Sequence, residues 1–135
     1  MADDARTWRV LVADDHLDHL EMICRAIERS PSGHRIKVVR ATDGNAAYAA
    51  LKEGVDMAFL DIKMPGQSGL SILRASRAEP SLAEVPIVIV SSSSDPWDIE
   101  ASTNYGAKAY IEKGRYDRFR DRIVSVLEET LAMLA

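Results

Sequence analysis

Five residues of this sequence combine types and spacing that could do chemistry. They are Asp14 and Asp15 in "VADDH", Asp61 in "LDIKMPGQSG", Ser91 in "PIVIVS" and Lys113 in "AYIEK". Each follows a short apolar run that reads as a buried strand, so each stands at a strand's end. Carboxylates at neighbouring ends repel one another unless one takes a proton or a cation sits among them. Hard oxygen donors with no thiolate suit Mg²⁺, which keeps several of its waters. A carboxylate can also attack phosphorus and form an aspartyl-phosphate. Such a transfer needs in-line placement and neutralised equatorial oxygens. Mg²⁺, the Lys113 ammonium, and the Ser91 hydroxyl with a backbone N–H could serve one oxygen each. A lone aspartate at a strand end usually caps a helix or starts a turn. Three of them beside a lysine favour a site.

The elements that must position these groups alternate. Apolar runs predict strands over 8–13, 35–41, 56–60, 85–90 and 107–112, and helical periodicity predicts helices over about 17–29, 43–54, 70–79, 95–105 and 116–134. Leu17, Leu20, Ile23, Cys24 and Ile27 share one face of the first helix and are expected to be buried, Cys24 as a core thiol. Asp95 is expected to cap the fourth helix, with Pro96 at its first position. Five strands alternating with helices predict an α/β fold: a doubly wound, flavodoxin-like parallel sheet of order 2-1-3-4-5, with right-handed crossovers and helices on both faces. Ligands of such sheets bind beyond the carboxyl ends of the strands, near the switch point between strands 1 and 3. Strand 3 is central in this order, which makes Asp61 the best-placed nucleophile.

The totals agree with that reading. The chain of 135 residues, 47% hydrophobic and 28% charged, suits one domain over 1–135 with its core in about 8–134. A net charge of −4 argues against a partner recognised through its phosphate backbone, so no nucleic acid is expected. No apolar run reaches the roughly 18 residues that span a bilayer, and "MADDARTWRV" lacks the apolar core of a signal peptide. No membrane association and a cytoplasmic location are expected. One cysteine cannot form an internal disulfide.

Taken together, the four motifs resemble the receiver domain of bacterial two-component response regulators. The resemblance rests on "VADDH", on "LDIKMPGQSG" with Met64, Pro65 and Gly69, on the Ser91 hydroxyl and on Lys113; the acceptor-to-hydroxyl spacing is 30 residues and the hydroxyl-to-lysine spacing 22. It implies that Asp15 and Asp61 bind Mg²⁺ directly, Asp14 through water, and the Lys63 backbone carbonyl as a further ligand. It implies that Asp61 accepts a phosphoryl group from a sensor histidine kinase or a phosphotransfer protein. Lys113 would contact the phosphoryl oxygens, Ser91 would move toward them, and Tyr110 would rotate into the vacated space. Ser92 is then the small neighbour that lets the phosphoryl group approach, with Ser93 and Ser94 as loop and cap material. On this reading the chain catalyses only its own phosphorylation and dephosphorylation and is no turnover enzyme. With no output domain expected after residue 135, it would be a stand-alone switch acting on a protein partner. "SSSSD" and the residue after Lys113 are similar to single-domain regulators paired with bacterial phytochromes.

Two other classes stay open. One is a non-phosphorylated binding module on the same fold, against which the intact set of five residues weighs. The other is an aspartate-nucleophile phosphatase, for which "DIKMP" lacks the second acid. The family's proline after the lysine is replaced by Gly114, which predicts a trans Lys113–Gly114 bond, since a cis bond without proline costs about 2.5–4 kcal/mol. The Lys63 side chain either reaches the site and alters dephosphorylation or is a solvated loop lysine. His16 and His19 in "DDHLDH" could recruit a transition metal, though exposed helix-start histidines are the commoner case. The arginines of "GRYDRFRDR" read as local pairs such as Arg118–Asp121 rather than a nucleic-acid patch. Phe119, Ile123, Val126, Leu127, Leu131 and Leu134 give the last helix more apolar width than one core is expected to use. That surplus, with Trp97, Tyr105 and Tyr116, predicts a homodimer contact on the fourth helix, fifth strand and fifth helix.

Overall fold

A computed structural model describes residues 6–114 and 116–135. Five strands, β1 (Trp8–Ala13), β2 (Ile36–Ala41), β3 (Met57–Leu60), β4 (Ile87–Ser91) and β5 (Ala109–Glu112), form one parallel sheet in the order β2-β1-β3-β4-β5. Five helices alternate with them: α1 (Leu17–Glu28), α2 (Gly44–Glu53), α3 (Gly69–Ala78), α4 (Pro96–Asn104) and α5 (Tyr116–Leu134). This is the flavodoxin-like doubly wound arrangement that the alternation predicts.

The apolar runs explain which strands are central. Every residue of β3 and β4 is buried, as a strand covered on both faces demands. Side chains alternate between two cores. Val10, Val12, Met57, Phe59, Val88 and Val90 point to the α1–α5 side, where Ile23, Ile27, Phe119 and Leu127 pack on them. Leu11, Ala13, Ala58, Leu60, Ile87 and Ile89 point the other way, onto Ala47, Leu51, Ile72 and Leu73 of α2 and α3. Register carries the strand ends to a common level, with Ala13 opposite Leu60 and Leu60 opposite Ile89.

Three helix starts are capped by side chains that the sequence places just before them. Asp43 accepts the Ala46 N–H, Ser68 the Ser71 N–H, and Asp95 the Trp97 N–H. Pro96 stands at the start of α4 as expected. Gly69 lets α3 begin against the end of β3. A Cβ there would overlap the Asp61 carbonyl oxygen, and the Gly69 N–H bonds Ile62 O at 2.9 Å.

Some expectations are corrected. Leu17 is 66% exposed although it shares the periodicity of the buried face, because the first turn of α1 stands at the rim, past the last core layer. Cys24 is fully buried as expected, and burial pushes its thiol up to about 11. The width of α5 is largely consumed by the α1 side of the core. Phe119, Ile123, Val126, Leu127 and Leu131 are buried and Val124 packs against them, leaving Met133 and Leu134 exposed. The surplus expected for a subunit contact is therefore small on α5. No Arg118–Asp121 ion pair forms among the described residues, and both side chains face solvent. β4 begins at Ile87 rather than 85, directly after Pro86, and β5 at Ala109 rather than 107, three residues past the positive-φ Gly106. The Tyr116 side chain lies outside the described residues.

Candidate functional site

The backbone ladder delivers each functional side chain to the carboxyl rim of the sheet. Asp14 follows β1, its N–H bonded to Ala41 O at 3.1 Å. Asp61 follows β3, its N–H bonded to Ala13 O at 3.0 Å. Ser91 is the last residue of β4 rather than the first after it, and its carbonyl accepts the Lys113 N–H at 2.9 Å. These bonds tie the end of β1 to those of β2 and β3 and the end of β5 to that of β4, and side chains far apart in sequence meet above them.

Lys113 is the hub. Its ammonium donates to Asp14 Oδ2 at 2.6 Å and to Asp61 Oδ2 at 3.2 Å, and lies 3.1 Å from His19 Nδ1. Its side chain is only 5% exposed, and Asp14 is fully buried. The other carboxylate oxygens are held by the backbone: Asp14 Oδ1 accepts the His16 N–H at 2.9 Å and Asp61 Oδ1 the Ile62 N–H at 2.8 Å. Asp15 is exposed at the edge. One oxygen from each of Asp14, Asp15 and Asp61 lies within 4.8 Å of the others.

Charge is unbalanced here, with three carboxylates against one ammonium. Burial pushes the Asp61 carboxyl up to about 6; the Asp14 charge adds to that rise, and Lys113 opposes it. The cluster therefore lacks positive charge, and its free donors are hard oxygens open to solvent on the Asp15 side. That donor set fits Mg²⁺, which binds through a few carboxylates and keeps its waters. Among the described residues this trio is the group whose donor atoms converge. The two histidines do not form a transition-metal site with it. Their rings stack face to face, 3.9 Å between centroids and 13° between planes, so their lone pairs cannot aim at one ion. Burial, then the Lys113 charge, holds His19 below the ordinary imidazole value.

The serine run sorts itself by contact. Ser91 is 3% exposed, and its Oγ accepts the Ser93 N–H at 3.1 Å. Ser92 and Ser94 are exposed, and Lys63 is exposed in the loop after Asp61. Ser93 is more than loop material: its Oγ donates to Asp98 Oδ2 at 2.7 Å and accepts the Asp95 N–H at 3.2 Å, and its carbonyl accepts the Tyr110 hydroxyl at 2.6 Å. Tyr110 is half-buried on the α2–α3 side of the sheet. Sequence reasoning missed both Ser93 as the link between β5 and α4 and His19 as a partner of Lys113. Neither left a local signal, because both contacts join residues far apart in sequence. No peptide bond among the described residues is cis, so Lys113–Gly114 is trans as Gly114 predicts.

The family model of the response regulator receiver domain matches residues 10–124. The chain belongs to the response regulator receiver family. Curated relatives of the receiver include a gliding motility regulatory protein of Myxococcus xanthus, 33% identical over 84% of the chain, and the DNA-binding response regulator MtrA of Mycobacterium bovis, 31% identical over 82%. The receiver spans only 14% and 46% of those proteins' lengths. Among solved structures, the receiver domain of a response regulator NarL from Mycobacterium tuberculosis superposes with TM-score 0.76 at 30% identity, over 93% of this chain and 97% of that one. The phosphorylated cyanobacterial phytochrome response regulator RcpA shares the fold with TM-score 0.84 at 23% identity, over 94% and 96%. Receivers are phosphoacceptors of two-component signalling. They interact with histidine kinases or phosphotransfer proteins and bind Mg²⁺ at an acidic cluster of this kind. Among the described residues, no helix is long and apolar enough to cross a membrane.

Proposed function

We propose that this receiver takes a phosphoryl group on Asp61 and works as a stand-alone switch rather than a turnover enzyme. An Asp61 carboxylate oxygen attacks phosphorus in line, a P–O bond forms, and the P–N bond to a donor phosphohistidine breaks as the imidazole leaves. Asp14, Asp15, Asp61 and the Lys63 carbonyl would hold Mg²⁺, which supplies positive charge to the phosphoryl oxygens when bound. The Lys113 ammonium exchanges its hydrogen bond to Asp61 for one to a phosphoryl oxygen. Ser91 Oγ turns from the Ser93 N–H toward another such oxygen, and Ser92, with its small side chain, leaves the approach open.

The observation that carries this reading is the buried Lys113 ammonium shared by Asp14 and Asp61 beside the exposed Asp15. The downstream step follows from the Ser93 links. Moving Ser91 disturbs Ser93, which is tied to Tyr110 on β5 and Asp98 on α4. The readout face is then α4, β5 and α5, where Trp97 and Ile99 stand exposed to meet a partner or a second copy. The phytochrome link in this proposal is motivated by "SSSSD" and by Gly114 after Lys113.

The test is incubation with acetyl phosphate and Mg²⁺ followed by intact mass. A gain of one phosphoryl group that disappears in Asp61→Asn and in EDTA is expected. Phosphate released at high turnover without an acyl-phosphate species would point instead to a phosphatase. A chain that gains nothing would favour a binding module.

A further inference from the structure

His19 touches the lysine of the acidic cluster, and the phosphoryl chemistry above makes no use of it. A lysine ammonium has three N–H donors and no acceptor. Those of Lys113 meet Asp14 Oδ2 at 2.6 Å, Asp61 Oδ2 at 3.2 Å and His19 Nδ1 at 3.1 Å. With the side chain 5% exposed, water has little room to replace any of the three. Lys113 must be the donor at the third contact, so Nδ1 of His19 is unprotonated and the neutral ring carries its proton on Nε2. The ring's orientation is itself held, because His16 stacks on it at 3.9 Å and the His16 N–H is anchored on Asp14.

We propose that His19 is a positioning residue for Lys113. The inference rests on the reading of Asp61 as phosphoryl acceptor. Phosphorylation turns the Asp61 carboxylate into an acyl phosphate, and Lys113 must then move one N–H from it to a phosphoryl oxygen. A neutral third acceptor steadies Nζ during that exchange without adding negative charge to a cluster that already has too much. A carboxylate in its place would compete for the ammonium. An apolar side chain would leave one buried N–H unpaired and let the ammonium close on Asp14.

The first readout needs neither metal nor phosphate. A long-range ¹H–¹⁵N imidazole spectrum of the parent chain in EDTA is expected to show His19 with Nδ1 unprotonated and Nε2 protonated. A proton on Nδ1 would overturn the contact. The second readout is the rate of phosphorylation by acetyl phosphate with Mg²⁺ in two variants. His19→Leu has no acceptor and should be slowed about fivefold, in the range one hydrogen bond supplies. His19→Asn places an amide oxygen near the site of Nδ1 and should restore most of the parent rate. Equal slowing of both variants, or a parental rate in His19→Leu, would overturn the positioning role. If the parent chain itself takes no phosphoryl group, the reading of Asp61 is what falls, and the tautomer still decides the Lys113–His19 contact.

Discussion

The two ends of the sheet treat carboxylates in opposite ways. At the amino end, Glu128 of α5 accepts both the Ser32 N–H at 2.8 Å and the Ser32 hydroxyl at 2.6 Å. Asp56, just before β3, accepts the Arg9 N–H at 2.8 Å with the Arg6 guanidinium 3.9 Å away. Each acid there has its own donors and tethers distant parts of the chain. At the carboxyl end, Asp14 and Asp61 share one ammonium while Asp15 waits at the edge. A structural carboxylate is satisfied by the fold alone. A functional cluster is left short of positive charge, so that an ion and a phosphoryl group can bind with gain.

The sharpest way to test that contrast is to remove the shared cation. Lys113→Met leaves two buried carboxylates without their counter-charge, which typically costs about 3–5 kcal/mol. Urea unfolding at pH 8 in EDTA should show a loss of that order. Mg²⁺ should return much of it, because the ion replaces the missing charge. A loss unaffected by Mg²⁺ would mean that the cluster does not hold the ion.

A second test uses the proton instead. The Asp61 carboxyl is raised from 3.8 to about 6 in the folded chain, so the folded state binds a proton more tightly than the unfolded one. Stability contributed by the protonated form is therefore full below about pH 4 and is lost as pH climbs through about 6. Asp61→Asn does not titrate and escapes that loss. In EDTA it should match the parent near pH 4 and be more stable by roughly 2–3 kcal/mol at pH 7.5. Thermal melts across that range check it, and a stability difference that is flat with pH would show that Asp61 is not strained.

How much of this was legible in the sequence depends on the kind of interaction. β3 and β4 announced themselves as wholly apolar runs, since only a strand covered on both faces tolerates "MAFL" or "IVIV". Placing those strands centrally put Asp61 and Ser91 at the rim, and spacing did the same for Asp14, Asp15 and Lys113. What periodicity could not reach was the position of an element's end relative to the sheet. Leu17 keeps the helical rhythm but has no core beneath it, and β4 runs on to include Ser91. The fate of α5 was likewise hidden. Whether Val124 and Leu131 meet α1 or solvent depends on how closely two helices far apart in sequence pack. The contacts of Ser93 and His19 were illegible for a third reason: hydrogen bonds across 17 and 94 residues leave no local pattern.

The smallest expected effect comes from the quiet end. Glu128→Ala removes two hydrogen bonds that fasten α5 to the turn after α1, across 96 residues of sequence. Ser32 is 8% exposed, so its N–H and hydroxyl regain water only in part. The cost should be about 1–2 kcal/mol, seen as a fall of about 3–8 °C in Tm. Because Glu128 lies at the end of the sheet away from Lys113, the cost should be the same with and without Mg²⁺ and at pH 5 and pH 8. Phosphorylation by acetyl phosphate should proceed at the parent rate. A change in that rate, or a penalty that Mg²⁺ relieves, would show that α5 couples the two ends. The division between a satisfied structural acid and a charge-starved functional one would then fail, since both would belong to one responsive network.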